Sequence, residues 1–402
     1  MRIADYHLTY CTNIHPGESW ESTFKNLKDY IPSIKSRVSP DQAFGIGLRL
    51  SDEASRELTK EENLLKFKYW LEEIDSYIFT LNGFPFGGFH RRVVKDEVHH
   101  PDWTTPERKD YTIRLFDILS RLLPEGMDGG ISTSPLSYRH WHKTSKKMEE
   151  VMEKSCQHLM EVVHHLYGLK KNRGQALHLD IEPEPDGVIE NSRELIAFFR
   201  DWLVPKGSPY LMAQWDIGER EAERIIKDHI RVCYDVCHFA VAFENHQEVI
   251  AAFEKEGIKT GKIQISAALK VIIPKEKSKR MNVEKALLPF VESTYLHQVV
   301  GRDENGRLTS YPDLPDALTT LADTKEIEWR IHFHVPVFLD AYGHLESTQK
   351  DIIEVLGINH LNPFTYQLEV ETYTWEVLPE NIHLSLDESI SRELEWVKSN
   401  IE

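Results

Sequence analysis

Short β-rich runs alternate with longer amphipathic stretches along the chain. In the longer stretches, apolar residues recur at the three- and four-residue spacing of a helix. Alternation of this kind is typical of βα units that build a parallel sheet. The runs that we predict to be strands are 2–10, 44–50, 76–84, 129–136, 176–182, 230–236, 261–269 and 366–373.

Two of the intervening stretches show why helices are predicted there. Within 105–123, Ile113 and Phe116 fall on one helical face, and the segment after Asn191 begins with a residue suited to capping a helix. No Gly/Ser-rich linker separates the eight units. We therefore predict an α/β fold, a single (β/α)8 TIM barrel over residues 1–402, rather than an open doubly wound sheet.

One region contains β-rich runs beyond the eight strands that such a barrel needs. Residues 295–337 contain two more β-rich runs, YLHQVVG and RIHFHVPVF, and the sequence DENG at 303–306 is typical of a hairpin turn. Either the region is an insertion before the last barrel strand, or one of its runs is itself a barrel strand. We expect an insertion over 272–345 that decorates the C-terminal face of the barrel.

Composition narrows the range of partners. The chain has 41% hydrophobic residues and no apolar run near about 18 residues, so we expect no direct membrane insertion. The net charge of −17 disfavours nonspecific binding to nucleic acid. Four cysteines without a CxxC pair, and an N-terminus without the features of a signal peptide, predict a cytoplasmic protein. A homo-oligomer is compatible with this composition.

The segment LHLDIEPEPDG ends a predicted strand in a cluster of negative charge. Side chains alternate along a strand, so His178, Asp180 and Glu182 share one face, and Glu182 lies last, at the rim. In a (β/α)8 barrel the chemistry lies at the C-terminal ends of the strands. Pro183 and Pro185 stiffen the backbone beside Glu182. A solvated acidic turn is the alternative interpretation of the segment taken alone.

Polar residues also end the later strands. The run CYDVCHFA places Asp235 and His238 just past the core of its strand, and QLEVETYTW brings Glu371 near the rim. The run IHFHVPVF puts His332 and His334 on one face of an otherwise apolar strand. Carboxylates together with imidazole at one barrel mouth suit a divalent metal ion such as Mn, Mg, Co or Zn. The sequence therefore predicts a metal site.

Longer motifs extend from the first strand to beyond the last. They are HLTYCTNIHPGESW, DVCHFAVAFE, KIQIS, TYLHQVVGR, WRIHFHVPVF and LEVETYTWEVLP. The chain resembles the EboE family in these motifs, a family named for a presumed part in metabolite traffic. More broadly, the order of its strand-end residues resembles the xylose isomerase-like TIM barrel superfamily. That superfamily includes sugar and sugar-phosphate isomerases and epimerases, and the multi-zinc AP endonucleases.

The resemblance to ketose 3-epimerases of this superfamily implies roles for individual residues. Glu182 and Glu371 match two glutamates that bind the metal and exchange the substrate proton from opposite faces. Asp235 matches the aspartate ligand of the metal. His238 matches the histidine that contacts a substrate oxygen.

The seventh strand departs from that pattern. Where the superfamily has a histidine ligand, KIQIS offers Gln264, a neutral and weaker ligand that we assign to substrate binding. This departure puts in doubt either full metal affinity or the standard chemistry. His297, His332 or His334 could supply the missing ligand, and we favour His334 because it lies nearer the C-terminal end of its strand. The predicted metal ligands are therefore Glu182, Asp235, His334 and Glu371.

Loops after the earlier strands are predicted to add pocket residues. His15 follows the first strand and Arg139 follows the fourth. Together with His238, Gln264 and His297 they complete the predicted substrate-binding set. Arg139 could bind a phosphate or a carboxylate, and a solvated arginine is the alternative.

Three functions are compatible with these features. The first is a metal-dependent isomerase or epimerase acting on a sugar, sugar phosphate or cyclitol-like metabolite, in a secondary-metabolite pathway or its precursor traffic. Its two glutamates would transfer a proton beside a polarised carbonyl. The second is a noncatalytic barrel that binds and carries such a small polyol or carbohydrate-like metabolite, which Gln264 favours. The third, an AP endonuclease-like phosphodiesterase, is disfavoured by the net charge of −17.

Overall fold

Strands and helices alternate in the computed structural model, which describes residues 1–88, 90, 93–375 and 385–401. The last four residues of the LEVETYTWEVLP motif lie outside these ranges. The strands are β1 (Arg2–Ile3), β2 (Tyr6–Tyr10), β3 (Phe44–Arg49), β4 (Ser76–Asn82), β5 (Gly129–Thr133), β6 (Leu177–Ile181), β7 (Ile230–Asp235), β8 (Thr260–Ile265), β9 (Ala267–Ile272), β10 (Val299–Asp303), β11 (Leu308–Tyr311), β12 (Glu326–Val335), β13 (Ala341–Tyr342), β14 (Leu345–Ser347) and β15 (Gln367–Val370). The α-helices are α1 (Trp20–Val38), α2 (Asp52–Leu58), α3 (Glu61–Glu73), α4 (Pro106–Leu122), α5 (Ser145–Arg173), α6 (Ser192–Phe198), α7 (Val204–Trp215), α8 (Glu219–His229), α9 (Val236–Val241), α10 (His246–Glu256), α11 (Lys277–Leu287), α12 (Leu314–Thr320), α13 (Gln349–Leu361) and α14 (Leu386–Ile401).

Eight of these strands form a parallel ring in the order β2, β3, β4, β5, β6, β7, β8, β15. Seven neighbouring pairs are parallel ladders, running from β3 through β8 to β15 and back to β2. The strand β1 is a short antiparallel arm on β2. The predicted (β/α)8 barrel is therefore confirmed, and the eight predicted strands are the ones that build it.

The ring closes between β2 and β3 with little backbone pairing. One parallel bridge joins Cys11 to Gly47. The hydroxyl of Thr9 donates to the carbonyl oxygen of Gly45 at 2.8 Å and accepts from the amide of Gly47 at 2.9 Å. A side-chain hydroxyl thus satisfies backbone groups that a regular ladder would pair.

The helices pack against the strands through one apolar face. Helix α4 lies inside the predicted stretch 105–123 and buries Phe116. Asn191 caps α6 as predicted, because its side chain accepts from the amide of Glu194 at 3.1 Å. Helix α5 ends at Gly174, whose φ of 70° is the left-handed conformation that favours glycine. Of the helices in the described ranges, none is both long and apolar enough to cross a membrane.

A second, antiparallel sheet lies between barrel strands β8 and β15 in the sequence, in the order β11, β10, β12, β9, β14, β13. Only Ser266 separates β8 from β9, so the run predicted as one strand over 261–269 is two strands in two sheets. The β-rich runs of 295–337 are β10 and β12 of this sheet and not barrel strands, and β10 and β11 form the hairpin predicted at 303–306. The bounds 272–345 for an insertion stay a prediction.

The second sheet reaches the C-terminal rim of the barrel. The imidazole of His334 on β12 donates to the carbonyl oxygen of Glu371, just past β15, at 2.9 Å. The side-chain amide of Gln298, just before β10, donates to the carbonyl oxygen of Pro185 at 3.2 Å. The loops after β6 and β15 therefore share a surface with the second sheet, and this surface is where the predicted ligands lie.

Candidate metal centre

A pocket of about 600 Å³, including its open mouth, lies at the C-terminal rim of the barrel. Its walls come from residues at or after the ends of β2, β4, β6, β7 and β15, and from the second sheet. The polar residues among them that matter for the site are Asn13, Asn82, His99, Glu182, Glu184, His238, Gln298, His332 and Glu371.

Three carboxylates meet at the base of the pocket, where Glu182 and Glu371 line it and Asp235 lies buried beside them. Glu182 follows β6, Asp235 ends β7 and Glu371 follows β15. One carboxylate oxygen of each lies within 4.8 Å of one oxygen of each of the others. Their exposed fractions are 3%, 0% and 4%, so all three are almost wholly withdrawn from water. Buried carboxylates at this separation are unfavourable unless protons or a cation compensate their charge.

Asp235 is held by the start of the helix that follows it. Its Oδ1 caps α9 by accepting from the amide of His238 at 3.1 Å, and it accepts from the hydroxyl of Ser266 at 2.7 Å. The other oxygen, Oδ2, is buried and has no hydrogen-bond partner in the described part of the chain, and the same is true of Oε2 of Glu182. Two carboxylate oxygens are therefore left to bind a cation.

His334, on the second sheet, lies beside this group and shares Asp235 with it as a neighbour. Its Nδ1 donates to the carbonyl oxygen of Glu371, so its Nε2 carries the lone pair. That Nε2 is buried and without a hydrogen-bond partner among the described residues. His334, Asp235 and His238 also have ligating atoms within 4.8 Å of one another. The ring is thus fixed in the tautomer that a metal-binding histidine requires.

Burial raises the pKa of both glutamates. For Glu182 the charges of Glu371 and Asp235 add to burial, and the pKa lies well above its ordinary value. For Glu371 burial raises the pKa to about 7, although nearby His334 opposes the shift. A bound divalent cation would favour the ionised form of each carboxylate instead.

Two asparagines that the sequence analysis missed position Glu371. The side-chain amides of Asn13 and Asn82 both donate to Oε1 of Glu371, at 2.6 and 3.0 Å. Asn13 lies in the turn after β2, and Asn82 is the last residue of β4. Their position at strand ends was the feature of the sequence that could have predicted them as pocket residues. A single asparagine at such a position does not by itself predict a role in the site.

Gln264 lies on β8, where the seventh barrel strand was predicted, and is fully buried. It pairs in register with Asp235 on β7 and with Glu369 on β15. Its Oε1 accepts from the thiol of Cys233 at 2.9 Å, and its side chain lies close enough to Glu371 to lower the pKa of that carboxyl. Gln264 is therefore beneath the pocket, with its oxygen engaged by a neighbouring thiol.

The thiols are buried and reduced. None of the four cysteines forms a disulfide. Burial raises the pKa of Cys233 and Cys237 well above the ordinary value, so both stay protonated at neutral pH. The sulfur of Cys237 lies within 4.8 Å of a ring nitrogen of His332 and of one of His334.

His238 and His332 face each other on the pocket wall. Nδ1 of His238 lies 3.0 Å from the carbonyl oxygen of Pro183 and 3.7 Å from Oε1 of Glu182. Its Nε2 lies 3.0 Å from Nε2 of His332. Glu184 has a carboxylate oxygen within 4.8 Å of both rings. The substrate-binding role predicted for His238 stays a prediction, and the ring lines the pocket.

The other predicted substrate-binding residues have different partners. Nε2 of His15 lies 2.9 Å from the hydroxyl of Tyr10, and burial lowers the pKa of His15 to about 3. His297 bonds through Nε2 to Oε1 of Glu292 at 2.7 Å, and Arg139 donates to Glu194 at 2.6 Å. None of these three predicted residues is among the side chains that line the pocket described above.

The donor set fits a divalent cation. Glu182, Asp235 and Glu371 offer carboxylate oxygens within 4.8 Å of one another. His334, which is grouped with Asp235, offers an imidazole nitrogen without a hydrogen-bond partner among the described residues. Oxygen donors with a single imidazole suit a hard or borderline ion such as Mn, Mg, Co or Zn. Because the four residues come from β6, β7, β12 and the end of β15, the site exists only when the barrel and the second sheet are both folded.

Comparison with known proteins finds solved structures with a similar fold. Neither a scan against protein-family models nor a search of curated proteins found a match. Among solved structures, the chain is similar to a xylose isomerase-like TIM barrel protein from Mycobacterium smegmatis in complex with magnesium, at 10% identity and a TM-score of 0.49, over 98% of this chain and 96% of that one. It is also similar to the IolI protein with a bound zinc atom, at 13% identity and a TM-score of 0.45, over 98% of each chain. A third is a probable 3-DHS dehydratase, AsbF, from Bacillus anthracis, at 8% identity and a TM-score of 0.43, over 97% of this chain and 98% of that one. At such identities the function must be argued from the side chains of this protein.

Proposed function

We propose that this chain is a metal-dependent isomerase or epimerase that moves a proton on a sugar, a sugar phosphate or a cyclitol-like metabolite. The observation that carries the proposal is the pair Glu182 and Glu371, which reach one pocket floor from β6 and β15, two strands that are not neighbours in the barrel. A divalent cation held by Glu182, Asp235, His334 and Glu371 would polarise a substrate carbonyl and stabilise the negative charge that develops beside it.

The two glutamates supply the proton transfer. One carboxylate removes a proton from the carbon beside the carbonyl, and the other, or a water molecule, returns it from the opposite face. Without a metal, burial raises the pKa of Glu371 to about 7. A bound cation would favour its ionised form, which is the form that removes a proton. Asn13 and Asn82 hold the orientation of Glu371 by donating to one of its oxygens.

The pocket favours a small metabolite over a polyanionic chain as the substrate. Its floor is formed by buried carboxylates, and the whole chain has a net charge of −17, which disfavours a polyanionic chain such as DNA. His238 lines the pocket, and its contact with a substrate oxygen stays a prediction. The assignment of His15, Gln264, His297 and Arg139 to substrate binding stays a prediction.

The narrower resemblance to the EboE family remains part of this proposal, together with a role in metabolite traffic and a cytoplasmic location. The four buried, unpaired cysteines are consistent with a reducing compartment. The second candidate function is a noncatalytic carrier of the same metabolite class. The observation that favours it is Gln264, which stands where the superfamily has a histidine ligand. Glutamine is the weaker metal ligand, and its side-chain oxygen already accepts from the thiol of Cys233.

Hydrogen exchange at carbon separates the enzyme from the carrier. The protein loaded with Mn²⁺ is incubated in D₂O with a panel of ketohexoses, ketohexose phosphates and ketocyclitols, and NMR measures deuterium at the carbon beside the carbonyl. We expect exchange with at least one compound. Glu182→Gln and Glu371→Gln should each slow it by about a hundredfold or more, the range expected for losing a general base.

Binding must be measured on the same compounds by calorimetry. A carrier would bind one of them tightly in the presence of metal without any deuterium incorporation, and that result would overturn the isomerase proposal. The matched control is Glu150→Gln on α5, an exposed glutamate far from the pocket in which the same chemical change should leave exchange unchanged.

A further inference from the structure

Two imidazole rings on the pocket wall lie unusually close. Nε2 of His238 and Nε2 of His332 are 3.0 Å apart, and both rings are almost wholly buried. At this distance one nitrogen normally donates a hydrogen and the other accepts it. The partners of the opposite ring nitrogens decide whether that is the case.

Those partners leave both Nε2 atoms without a hydrogen. Nδ1 of His238 lies 3.0 Å from the carbonyl oxygen of Pro183, which can only accept, so this Nδ1 carries the hydrogen. Nδ1 of His332 lies 2.9 Å from Oε1 of Gln298. The amide of Gln298 is oriented by its donation to the carbonyl oxygen of Pro185 at 3.2 Å, so Oε1 is the acceptor and Nδ1 of His332 the donor.

Two neutral rings in these tautomers direct lone pairs at each other. The arrangement is favourable only if a positive centre lies between the two nitrogens, and either a shared proton or a metal ion can supply it. Two imidazole nitrogens that bind one cation at about 2.0–2.1 Å, at angles between about 90° and 109°, are about 2.8–3.4 Å apart. The observed separation of 3.0 Å lies in this interval.

A third donor favours the metal ion over the proton. Glu184 has a carboxylate oxygen within 4.8 Å of the ligating nitrogens of both rings, and all three residues line the open pocket. Nε2 of His99 lies 3.0 Å from Oε1 of Glu184, which orients the carboxylate as an outer partner commonly does for a metal ligand. A nearby carboxylate would also stabilise a shared proton, but three converging donors, one of them held by an outer partner, are the arrangement that metal sites have in common.

We propose that His238, His332 and Glu184 form a second divalent-cation site, beside the one built from the three carboxylates and His334. Two imidazoles and one carboxylate suit Zn²⁺ or Co²⁺ better than Mg²⁺. Nε2 of His238 lies 3.9 Å from Oδ1 of Asp235, so the two sites are neighbours. A ligand with two adjacent oxygen atoms, such as a vicinal diol, fits a pair of neighbouring cations.

The same geometry gives the EPEPDG segment a role. Its two proline carbonyls fix the tautomer of His238 and the orientation of Gln298, and through Gln298 the tautomer of His332. A proline has no amide hydrogen, and its ring restricts the backbone. The segment therefore sets the direction of two lone pairs and supplies Glu184 as the third donor.

Cobalt titration counts the sites without any need for a substrate. Metal-free protein is titrated with Co²⁺, the bound metal is counted by mass spectrometry of the desalted protein, and the visible absorption reports the donor set. We expect two equivalents in the wild type and one in His332→Gln, with loss of the absorption component that imidazole-rich coordination produces. Glu371→Gln should lose the other equivalent and keep this component.

Two further variants serve as a control and as a replacement for His332→Gln. His165→Gln on α5 makes the same chemical change on a ring that bonds to Asp117 outside the pocket, and should still bind two equivalents. If His332→Gln does not fold, as judged by circular dichroism, Glu184→Gln replaces it. In that variant the affinity for one of the two equivalents should fall at least about tenfold, while the other equivalent is unaffected.

The outcomes separate this inference from the proposed function. One equivalent in the wild type that survives in His332→Gln and Glu184→Gln would overturn the second site, identify the positive centre as a proton and leave the isomerase proposal intact. Loss of one equivalent in His332→Gln, with none lost in Glu371→Gln, would support the second site and count against the carboxylate site on which the isomerase depends.

Discussion

Glu371 depends on two neighbours that donate to the same oxygen. Asn13 and Asn82 reach it from the ends of β2 and β4, barrel strands that are each three positions from β7, the strand of Asp235. Side chains that orient a metal ligand commonly contribute a factor of about 10–100 to metal affinity. The two amides therefore belong to the metal site although neither binds the metal.

Asn13→Ala should weaken the carboxylate site without removing it. We expect the affinity of the protein for the cation bound by Glu371 to fall about tenfold, because one of two donated hydrogen bonds is lost. Competition with a chelator of known affinity measures the change. Asn400→Ala, which removes an exposed amide at the end of α14, is the control, and equal affinities in the two variants would contradict the role of Asn13.

Strand-end position was enough to predict the carboxylates but not their partners. Glu182, Asp235 and Glu371 follow from the alternation of side chains along strands whose C-terminal ends share one rim. The positions of Asn13 and His15 depend on the short turn after β2, which the spacing of residues does not determine. That turn brings Asn13 to Glu371 and stacks His15 on Tyr30, with ring centroids 4.5 Å apart.

At the scale of elements, glycines on the barrel strands make room for inward carboxylates. Asp180 on β6 lies inside the barrel, where Nδ1 of His178 is 2.6 Å from its Oδ1. A side chain on β8 at Gly261 would overlap the carboxylate of Asp180, and one on β5 at Gly130 would overlap both Asp180 and His178. In the same way, Gly47 on β3 admits the carboxylate of Glu369. The strands can close around a polar layer because these three positions lack a Cβ.

Gly261→Ala should destabilise the barrel. The added methyl group meets a fully buried carboxylate with no space to move into, and overpacking of this kind costs about 1–3 kcal/mol. Urea unfolding followed by circular dichroism measures the free energy. Gly357→Ala in α13 is the matched control, because a Cβ there contacts nothing within 4 Å and the helix should gain up to about 1 kcal/mol. Equal stability of both variants would show that the polar layer is not closely packed.

The strand pattern predicted the ring better than it predicted where one sheet passes into the other. The apolar run over 261–269 contains no glycine or proline after Gly261 and reads as one strand. The chain nevertheless changes sheets at Ser266, whose hydroxyl bonds to Asp235 and accepts from the amide of Cys237 at 3.0 Å. That break depends on contacts with β7 and α9, and such contacts are not visible in the local sequence.

At the scale of the whole molecule, buried carboxylates are compensated differently deep in the barrel and at its mouth. Deep in the barrel, Glu369 forms a fully buried ion pair with Lys262, so these two charges compensate each other. At the mouth, the cationic groups that approach Glu182, Asp235 and Glu371 within 4 Å among the described residues are histidines, not lysine or arginine. The upper layer is therefore short of positive charge, and a divalent cation would supply it. Folding stability and metal binding should consequently be linked.

The effect of Glu371→Gln on the unfolding temperature tests the link between folding stability and metal binding. In EDTA at pH 8 the variant should unfold at a higher temperature than the wild type, because it removes one of three buried carboxylate charges and keeps an oxygen that can accept from Asn13 and Asn82. The folded pKa of Glu371 is raised from 4.5 to about 7, so the folded state loses stability as the pH rises through 7. The advantage of the variant should therefore be larger at pH 8 than at pH 5.

Addition of Co²⁺ should reverse which of the two proteins, the wild type or Glu371→Gln, unfolds at the higher temperature. At a free concentration one hundred times its dissociation constant, a ligand that binds only the folded state stabilises it by about 2.7 kcal/mol. The wild type should gain this stabilisation at the carboxylate site and Glu371→Gln should gain much less of it, so the wild type becomes the more stable protein. Glu150→Gln, an exposed change on α5, should follow the wild type throughout. A wild type that is already the more stable protein in EDTA at pH 8 would mean that these carboxylates are compensated within the folded chain, and the argument for a cation at the pocket floor would lose its electrostatic basis.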